Sequence, residues 1–126
     1  MTCWDQWHSE SYQQMNKLGA DIILCPTSIG SAYHKGKSIS LSKEKEKWIN
    51  VITANSLMIN TPVVIANRCG NEKDKDSIIN FWGSSFVTNA NGDIIFMNKS
   101  NKSTNHVVIN LIQKKISKKL WSFCPK

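Results

Sequence analysis

The sequence contains almost no arginine, although it is strongly basic. Its 126 residues carry a formal net charge of +7, and Arg68 is the only arginine, so lysine supplies the rest of the positive charge. Arginine makes most bidentate contacts to phosphate and guanine, and a lysine-rich composition is more typical of a solvated surface. We therefore expect no nucleic-acid partner. One alternative stays open, a binder of nucleic acid or anionic lipid through the lysines of residues 114–119.

Long apolar segments are also missing. No run approaches the roughly 18 apolar residues that a membrane span requires. The first residues, which include Asp5 and Glu10, lack the basic and then apolar order of a secretory signal. The sequence therefore predicts neither membrane insertion nor export, and we expect a cytoplasmic protein.

Cysteines are few and show no short pairing. The four lie far apart, at Cys3, Cys25, Cys69 and Cys124. Cys25 and Cys69 stand beside apolar strand residues, where free thiols pack as small hydrophobic groups. This pattern favours a reducing compartment. Neither the cysteines nor the three histidines have metal-ligand spacing, so we expect no metal and no cofactor.

The first half of the chain has helical and strand signals in alternation. A helix is predicted directly after Cys3, with a stripe of apolar residues at Trp4, Trp7, Met15 and Leu18 and a stop at Gly19. Residues 21–26 are a short apolar run that predicts a buried strand, and residues 32–42 are typical of a surface loop. A second helix is predicted from Ser42 as its N-cap to the stop at Pro62. Its core-facing stripe contains Trp48, Val51, Ile52, Asn55, Met58 and Ile59.

The second half indicates strands and a hairpin. Residues 63–66 predict another buried strand, and the polar residues 71–80 predict a connection. Residues 83–88 and 93–97 form a predicted antiparallel pair, because the Asn91-Gly92 step supplies the positive φ of a tight turn. A last strand over 105–109 leads into a short basic helix or tail over 111–119. The order of elements predicts an α/β fold with a mixed sheet.

Four blocks of sequence resemble the nitrilase, or carbon-nitrogen hydrolase, superfamily. They are Cys3-Trp4-Asp5-Gln6-Trp7 with Glu10, residues 19–31 from Gly-Ala-Asp-Ile to Pro-Thr-Ser-Ile-Gly-Ser, residues 62–70 ending Asn-Arg-Cys-Gly, and residues 81–86, Phe-Trp-Gly-Ser-Ser-Phe. Within the superfamily the similarity is greatest to enzymes that hydrolyse N-carbamoylputrescine to putrescine, carbon dioxide and ammonia in polyamine biosynthesis. The resemblance implies an α-β-β-α sandwich and a Glu-Lys-Cys triad, with a thiol-bound acyl or carbamoyl intermediate.

The resemblance also assigns candidate site residues. Cys3 is the implied nucleophile, and a thiol of this kind needs a base and a cation beside the developing oxyanion. Asp5 and Gln6 follow it in the first helical turn, where Asp5 is about equally expected as a helix-start acid or as a substrate contact. Further candidate substrate contacts are Asn67, Arg68, Glu72 and Ser85. Arg68 is equally plausible in a structural ion pair, and Glu72 as an ordinary loop charge.

The family's glutamate and lysine precede its nucleophile, whereas only Met1 and Thr2 precede Cys3. We therefore expect residues 1–126 to be the C-terminal portion of one hydrolase domain, with a basic tail from about 111 to 126. Half of a sandwich should leave one sheet face and an edge strand uncovered. Such a chain is expected to be inactive alone and to bind an N-terminal half or a further copy of itself. The alternative is a non-catalytic remnant, or a binding partner of a full-length relative.

Overall fold

A computed structural model of the chain describes residues 1–98 and 104–120. Within these ranges the chain forms a short 3₁₀ helix (Cys3–Trp7) and the helices α1 (Ser9–Lys17), α2 (Glu44–Ile59) and α3 (Leu111–Leu120). The strands are β1 (Ile23–Thr27), β2 (Gly30–His34), β3 (Lys37–Ser38), β4 (Val63–Asn67), β5 (Cys69–Asp74), β6 (Ser77–Trp82), β7 (Phe86–Thr88) and β8 (Ile94–Met97). No helix in the described residues is long and apolar enough to cross a membrane.

The strands form two sheets of four. The central sheet has the order β1-β4-β7-β8, in which β1 and β4 are parallel and the other neighbours are antiparallel. The outer sheet has the order β3-β2-β6-β5 and is antiparallel throughout. The predicted α/β class with a mixed sheet is therefore confirmed.

One face of the central sheet packs against α1 and α2. Side chains alternate along β1 and β4, so every second residue enters the core. The buried cluster contains Tyr12, Ile23, Cys25, Trp48, Ile52, Ile59, Val63, Ile65 and Phe86. Trp48 meets Phe86 edge to face, with ring centroids 5.5 Å apart, and each such buried side chain contributes about 1.5–3 kcal/mol.

The opposite face of the central sheet is open. Leu24 on β1 is 62% exposed, and Pro26 and Ala66 beside it also face solvent. Residues of the 104–110 segment line a groove of about 380 Å³ together with β4, β7 and β8 on this sheet. We call the surface of Leu24, Pro26 and Ala66 the open face. The expected uncovered sheet surface is thus present at this open face, while the 104–110 segment lies along the neighbouring strands.

The prediction of one continuous first helix is wrong, because the structure has two helices there. His8 is extended, with φ −106° and ψ 117°, and it separates the 3₁₀ helix from α1. Because the chain changes direction at His8, the residues of the predicted apolar stripe do not share one helical face. Trp4 and Leu18 are exposed, and Tyr12 is the fully buried residue of α1.

Two predicted connections are strands instead. Residues 32–42 contain β3 and most of β2, and residues 71–80 contain much of β5 and β6, which pair with register Asn71↔Asn80. Most side chains of these strands are exposed or only partly buried, so their apolar alternation is weak. Conversely, no strand forms over 105–109, which pairs with no other strand in the described residues. The N-cap of α2 is Lys43 in a left-handed conformation, not Ser42.

The predicted hairpin and final helix are confirmed with small shifts in their bounds. Gly92 adopts φ +79° between β7 and β8, and a Cβ there would lie 2.6 Å from the Thr53 carbonyl oxygen. In α3, the ammonium of Lys114 is buried and donates to an Asp21 carboxylate oxygen at 2.9 Å. This lysine is therefore not available as a surface charge for the nucleic-acid alternative. The tail beyond residue 120, including Cys124, lies outside the described residues.

Candidate active site

Cys3 stands on a strained turn beside the first strand of the central sheet. Its φ is +43°, in the left-handed region that side chains with a Cβ rarely adopt. The Met1 ammonium donates to the Leu24 carbonyl oxygen at 3.4 Å, which anchors the residues before Cys3 to β1. Such a conformation costs about 1–3 kcal/mol and persists only where its surroundings hold it, which is typical of functional sites.

Gln6 is the residue that holds this turn from inside. Its side chain is fully buried, and its Nε2 donates to the Cys3 carbonyl oxygen and to Oγ1 of Thr27 at 2.8 Å. Its Oε1 accepts the indole N–H of Trp48 at 2.8 Å, and its backbone carbonyl accepts the hydroxyl of Tyr12 at 3.0 Å. Gln6 therefore connects Cys3 to β1, α1 and α2.

Two neighbouring groups stay neutral because they are buried. Burial is the main cause that raises the pKa of the Cys25 thiol, while the Met1 ammonium and the Cys3 N–H oppose the rise. Burial likewise raises the pKa of the Tyr12 phenol. Cys25 is thus a neutral thiol and a poor nucleophile, since the thiolate is the nucleophilic form of cysteine.

The thiol of Cys3 belongs to a small cavity between the 3₁₀ helix, the start of α2 and the outer sheet. The cavity has a volume of about 180 Å³. It is lined by Cys3, Trp4, Trp7, Ser28, Ile29, Gly30, Ala32, Glu44 and Ile79, and we call it the Cys3 cavity. Gly30 is required at its wall, because a Cβ there would lie 2.2 Å from the Asn80 carbonyl oxygen. A thiol, one carboxylate and two indole rings therefore share one space.

Asp5 and Gln6, the two candidate site residues closest to Cys3 in sequence, make their contacts outside the Cys3 cavity. Asp5 accepts the Thr2 N–H at 2.9 Å and stabilises the start of the 3₁₀ helix. Its side chain lines a separate depression with Glu10. Gln6 is shielded from solvent, so it can act on a substrate only through Cys3. Neither residue lines the Cys3 cavity.

Asn67 and Ser85 join the ends of neighbouring strands. The Asn67 amide accepts the Ile29 N–H at 2.9 Å and donates to the carbonyl oxygens of Ile29 and Gly83 at 3.0 and 2.9 Å. Oγ of Ser85 accepts the Asn67 N–H at 3.0 Å. These bonds fix the loop after β1, which carries cavity residues 28–30. Both residues therefore support the cavity wall without lining it.

Arg68 and Glu72 form an ion pair on the outer sheet. The guanidinium donates to a Glu72 carboxylate oxygen and lies over the Phe81 ring, 4.3 Å from its centroid. Both side chains are about half exposed, so the pair contributes little to stability. The structural ion pair left open for Arg68 is the arrangement found. Glu72 lies on β5, not in a loop.

The Cys3 cavity thus contains none of the six predicted substrate contacts, and their role in binding stays a prediction. Sequence reasoning also missed Glu44, because the pattern around it indicated only the first turn of a helix. No lysine or arginine lines the cavity among the described residues. A cation to stabilise an oxyanion is therefore not provided by this part of the chain. No group of three or more potential metal ligands occurs in residues 1–98 and 104–120.

Comparison with known proteins gives consistent matches. The carbon-nitrogen hydrolase family profile matches residues 1–119. A citrullinase from Francisella tularensis is 38% identical over 93 residues, and an N-carbamoylputrescine amidase from Oryza sativa is 34% identical over 97 residues. Both matches cover 74% of this chain and 31% of the relative, so the chain spans less than a third of each relative's length.

A solved structure gives the same result. The carbon-nitrogen hydrolase from Helicobacter pylori G27 superposes with a TM-score of 0.82 at 28% identity. The match covers 98% of this chain and 43% of that one. The predicted nitrilase-type fold, present in part, is confirmed.

Proposed function

The chain belongs to the carbon-nitrogen hydrolase family, and we propose that it hydrolyses a ureido or amide C–N bond with Cys3 as the attacking thiolate. The observation that carries this proposal is the conformation of Cys3. Its left-handed turn is held by the buried Gln6 side chain, and its thiol lines a cavity. A residue kept in a strained conformation by a buried neighbouring side chain is typical of a functional site, and a nucleophile must be positioned in this way.

The proposed substrate is N-carbamoylputrescine, which would be converted to putrescine, carbon dioxide and ammonia. Support comes from the relatives, which include N-carbamoylputrescine amidases and a citrullinase. Citrulline and N-carbamoylputrescine both carry a terminal ureido group. The reacting carbon is therefore the same in the two compounds, and they differ in the charges at the far end of the molecule.

The reaction begins when the Cys3 sulfur attacks the ureido carbon and the carbonyl oxygen becomes an oxyanion. A C–N bond then breaks, the nitrogen leaves as a protonated amine, and the carbonyl carbon stays on sulfur. Water attacks that carbon and releases the thiol together with a carbamic acid. Loss of carbon dioxide from the carbamic acid breaks the second C–N bond and frees the second amine. A general base must take the thiol proton and later activate water, and a cation must stand near the oxyanion.

We assign the base and the cation to the family's glutamate and lysine, contributed by a second polypeptide segment. The open face is the surface on which this segment would pack, because Leu24 and Ala66 are exposed there on a sheet whose other face is buried. An apolar sheet surface of this kind associates readily. A second copy of this chain is the alternative occupant.

The test is complementation. The chain is mixed with a polypeptide that carries the part of a full-length relative that the chain does not match, and ammonia release from N-carbamoylputrescine is followed. The mixture is expected to hydrolyse the substrate, whereas each component alone and a mixture containing Cys3→Ser are inactive. Equal activity with Cys3→Ser would refute the role of Cys3. A stable complex without any turnover would instead favour a non-catalytic binding partner.

A further inference from the structure

The Cys3 cavity contains one carboxylate, and that carboxylate has no partner in the described residues. Glu44 is half-buried at the first turn of α2 and makes no hydrogen bond or ion pair there. Glu46, in the same turn, is exposed and lies 4.0 Å from the Lys43 ammonium. The dipole at the start of α2 favours a negative charge there, and the Glu44 carboxylate is left able to accept hydrogen bonds from a molecule in the cavity.

The walls of the cavity favour a cation as that group. Trp4 and Trp7 line it, with ring centroids 6.3 Å apart and planes inclined at 54°. Trp4 is 68% exposed, so its indole ring is accessible to a molecule in the cavity. Indole faces attract ammonium groups because of their negative quadrupole. A carboxylate between aromatic walls is therefore suited to an alkylammonium.

Glu44 and Cys3 line the same cavity and are not hydrogen-bonded to each other. No hydrogen bond joins the carboxylate to the thiol, so Glu44 is not placed to take the thiol proton. Both residues line a space of about 180 Å³, a volume that can hold an alkyl chain. A substrate that reacts at one end and carries its charge at the other matches this arrangement.

We propose that Glu44 is a specificity-determining residue that binds the ammonium end of the substrate while Cys3 attacks the ureido end. This inference rests on the proposed function, in which Cys3 is the nucleophile. No basic side chain lines the cavity in the described residues, so a carboxylate on the substrate would face Glu44 without compensation. The site therefore selects an ureido-alkylammonium such as N-carbamoylputrescine over the zwitterion citrulline.

The test measures charge selectivity at the Cys3 thiol and needs no turnover. The full chain is treated with 2-(trimethylammonio)ethyl methanethiosulfonate or with 2-sulfonatoethyl methanethiosulfonate, which have the same reactive group and opposite charges. Peptide mass spectrometry gives the rate of modification of Cys3 and, as an internal reference, of Cys69. Glu44→Gln is compared with Glu46→Gln, which removes the same charge from the same helical turn outside the cavity.

The Cys3 cation-to-anion rate ratio is expected to fall about fivefold or more in Glu44→Gln and to stay unchanged in Glu46→Gln. The ratio at Cys69 should not change in either variant. The net charge of +7 disfavours cations everywhere, so a cation preference at Cys3 alone requires a local anion. Equal ratios in the wild type and Glu44→Gln, or equal losses in both variants, would overturn the proposal.

The outcomes separate this inference from the proposed function. If the complementation assay shows hydrolysis and the labelling ratio at Cys3 is the same in the wild type and Glu44→Gln, the catalytic role of Cys3 is supported and the specificity role of Glu44 is refuted. If the labelling ratio at Cys3 depends on Glu44 but no hydrolysis occurs, the cation site at Glu44 is supported and the catalytic role of Cys3 is refuted. In an active mixture, Glu44→Gln should raise KM for N-carbamoylputrescine more than it lowers kcat, because the contact is present in ground and transition states alike.

Discussion

The indole N–H of Trp48 donates to Oε1 of Gln6 at 2.8 Å, and through this bond the centre of the core positions the residue that holds Cys3. Both side chains are fully buried. A buried donor that loses its acceptor leaves a polar group without water or protein, so the two residues depend on each other. The geometry of the cavity is therefore coupled to the packing of α2 on the central sheet.

Replacing Trp48 by phenylalanine should destabilise the fold by about 2–4 kcal/mol. The change leaves the Gln6 Oε1 unsatisfied and creates a void beside Phe86. Urea unfolding followed by circular dichroism gives the free energy of unfolding. Trp4→Phe is the control, because Trp4 is exposed, and it should change stability by less than about 0.5 kcal/mol. Equal stabilities of the two variants would contradict the role given to the Trp48 bond.

Gly30→Ala should destabilise the fold by about 2–3 kcal/mol, because the new methyl group would lie 2.2 Å from the Asn80 carbonyl oxygen in the paired strand. Gly70→Ala is the matched control. Gly70 has φ +92° and open space around its Cα, so only the backbone conformation is penalised, by about 1 kcal/mol. Thermal melts of both variants should rank Gly30→Ala as the less stable. The reverse order would show that the outer sheet does not pair at Gly30 as described.

The buried phenol of Tyr12 should make the fold less stable at alkaline pH. Burial raises the pKa of its phenol above 10.0, the ordinary value that applies in the unfolded chain. Above that pH the unfolded state loses the proton while the folded state keeps it, so the free energy of unfolding falls as pH rises. In Tyr12→Phe the free energy of unfolding should therefore fall less steeply with pH from about pH 10 upward. Urea unfolding at a series of pH values across that range measures the slope.

Tyr33→Phe serves as the control for the alkaline series, since Tyr33 lies on β2 at the less buried outer sheet. It should keep the wild-type pH dependence. Below pH 9 the Tyr12→Phe variant should be less stable than the wild type by about 1 kcal/mol, because it lacks the hydrogen bond to the Gln6 carbonyl oxygen. An unchanged alkaline slope in Tyr12→Phe would show that another group causes the decrease.

Elements with a strong apolar pattern were predictable from sequence. Residues 21–26 and 63–66 are continuous apolar runs and form β1 and β4, and the Asn91-Gly92 step predicted the turn between β7 and β8. The outer sheet was missed because β5 is almost entirely exposed and offers no apolar alternation. Its strands form because they pair with one another, and this pairing depends on partners distant in sequence.

The candidate site divides in the same way. The motif at Cys3 predicts the nucleophile, because its neighbours stand next to it in the chain, and that role stays a prediction. The sequence predicts Gln6 as a substrate contact, but its hydrogen-bond partners Thr27 and Trp48 are on other elements and become visible only in the fold. Glu44 could not be found, because its position at a helix start is explained by the helix dipole alone. Only the folded chain brings it to the cavity of Cys3.

The central claim is that the sulfur of Cys3 forms the covalent bond to the substrate carbon. The most direct test quenches the complemented mixture with acid during turnover of N-carbamoylputrescine. Mass spectrometry then identifies the modified peptide. The account predicts a carbonyl-containing adduct on Cys3, and its mass would show which C–N bond breaks first. An adduct on Cys25 or Cys69 instead, or undiminished turnover by Cys3→Ser, would contradict it.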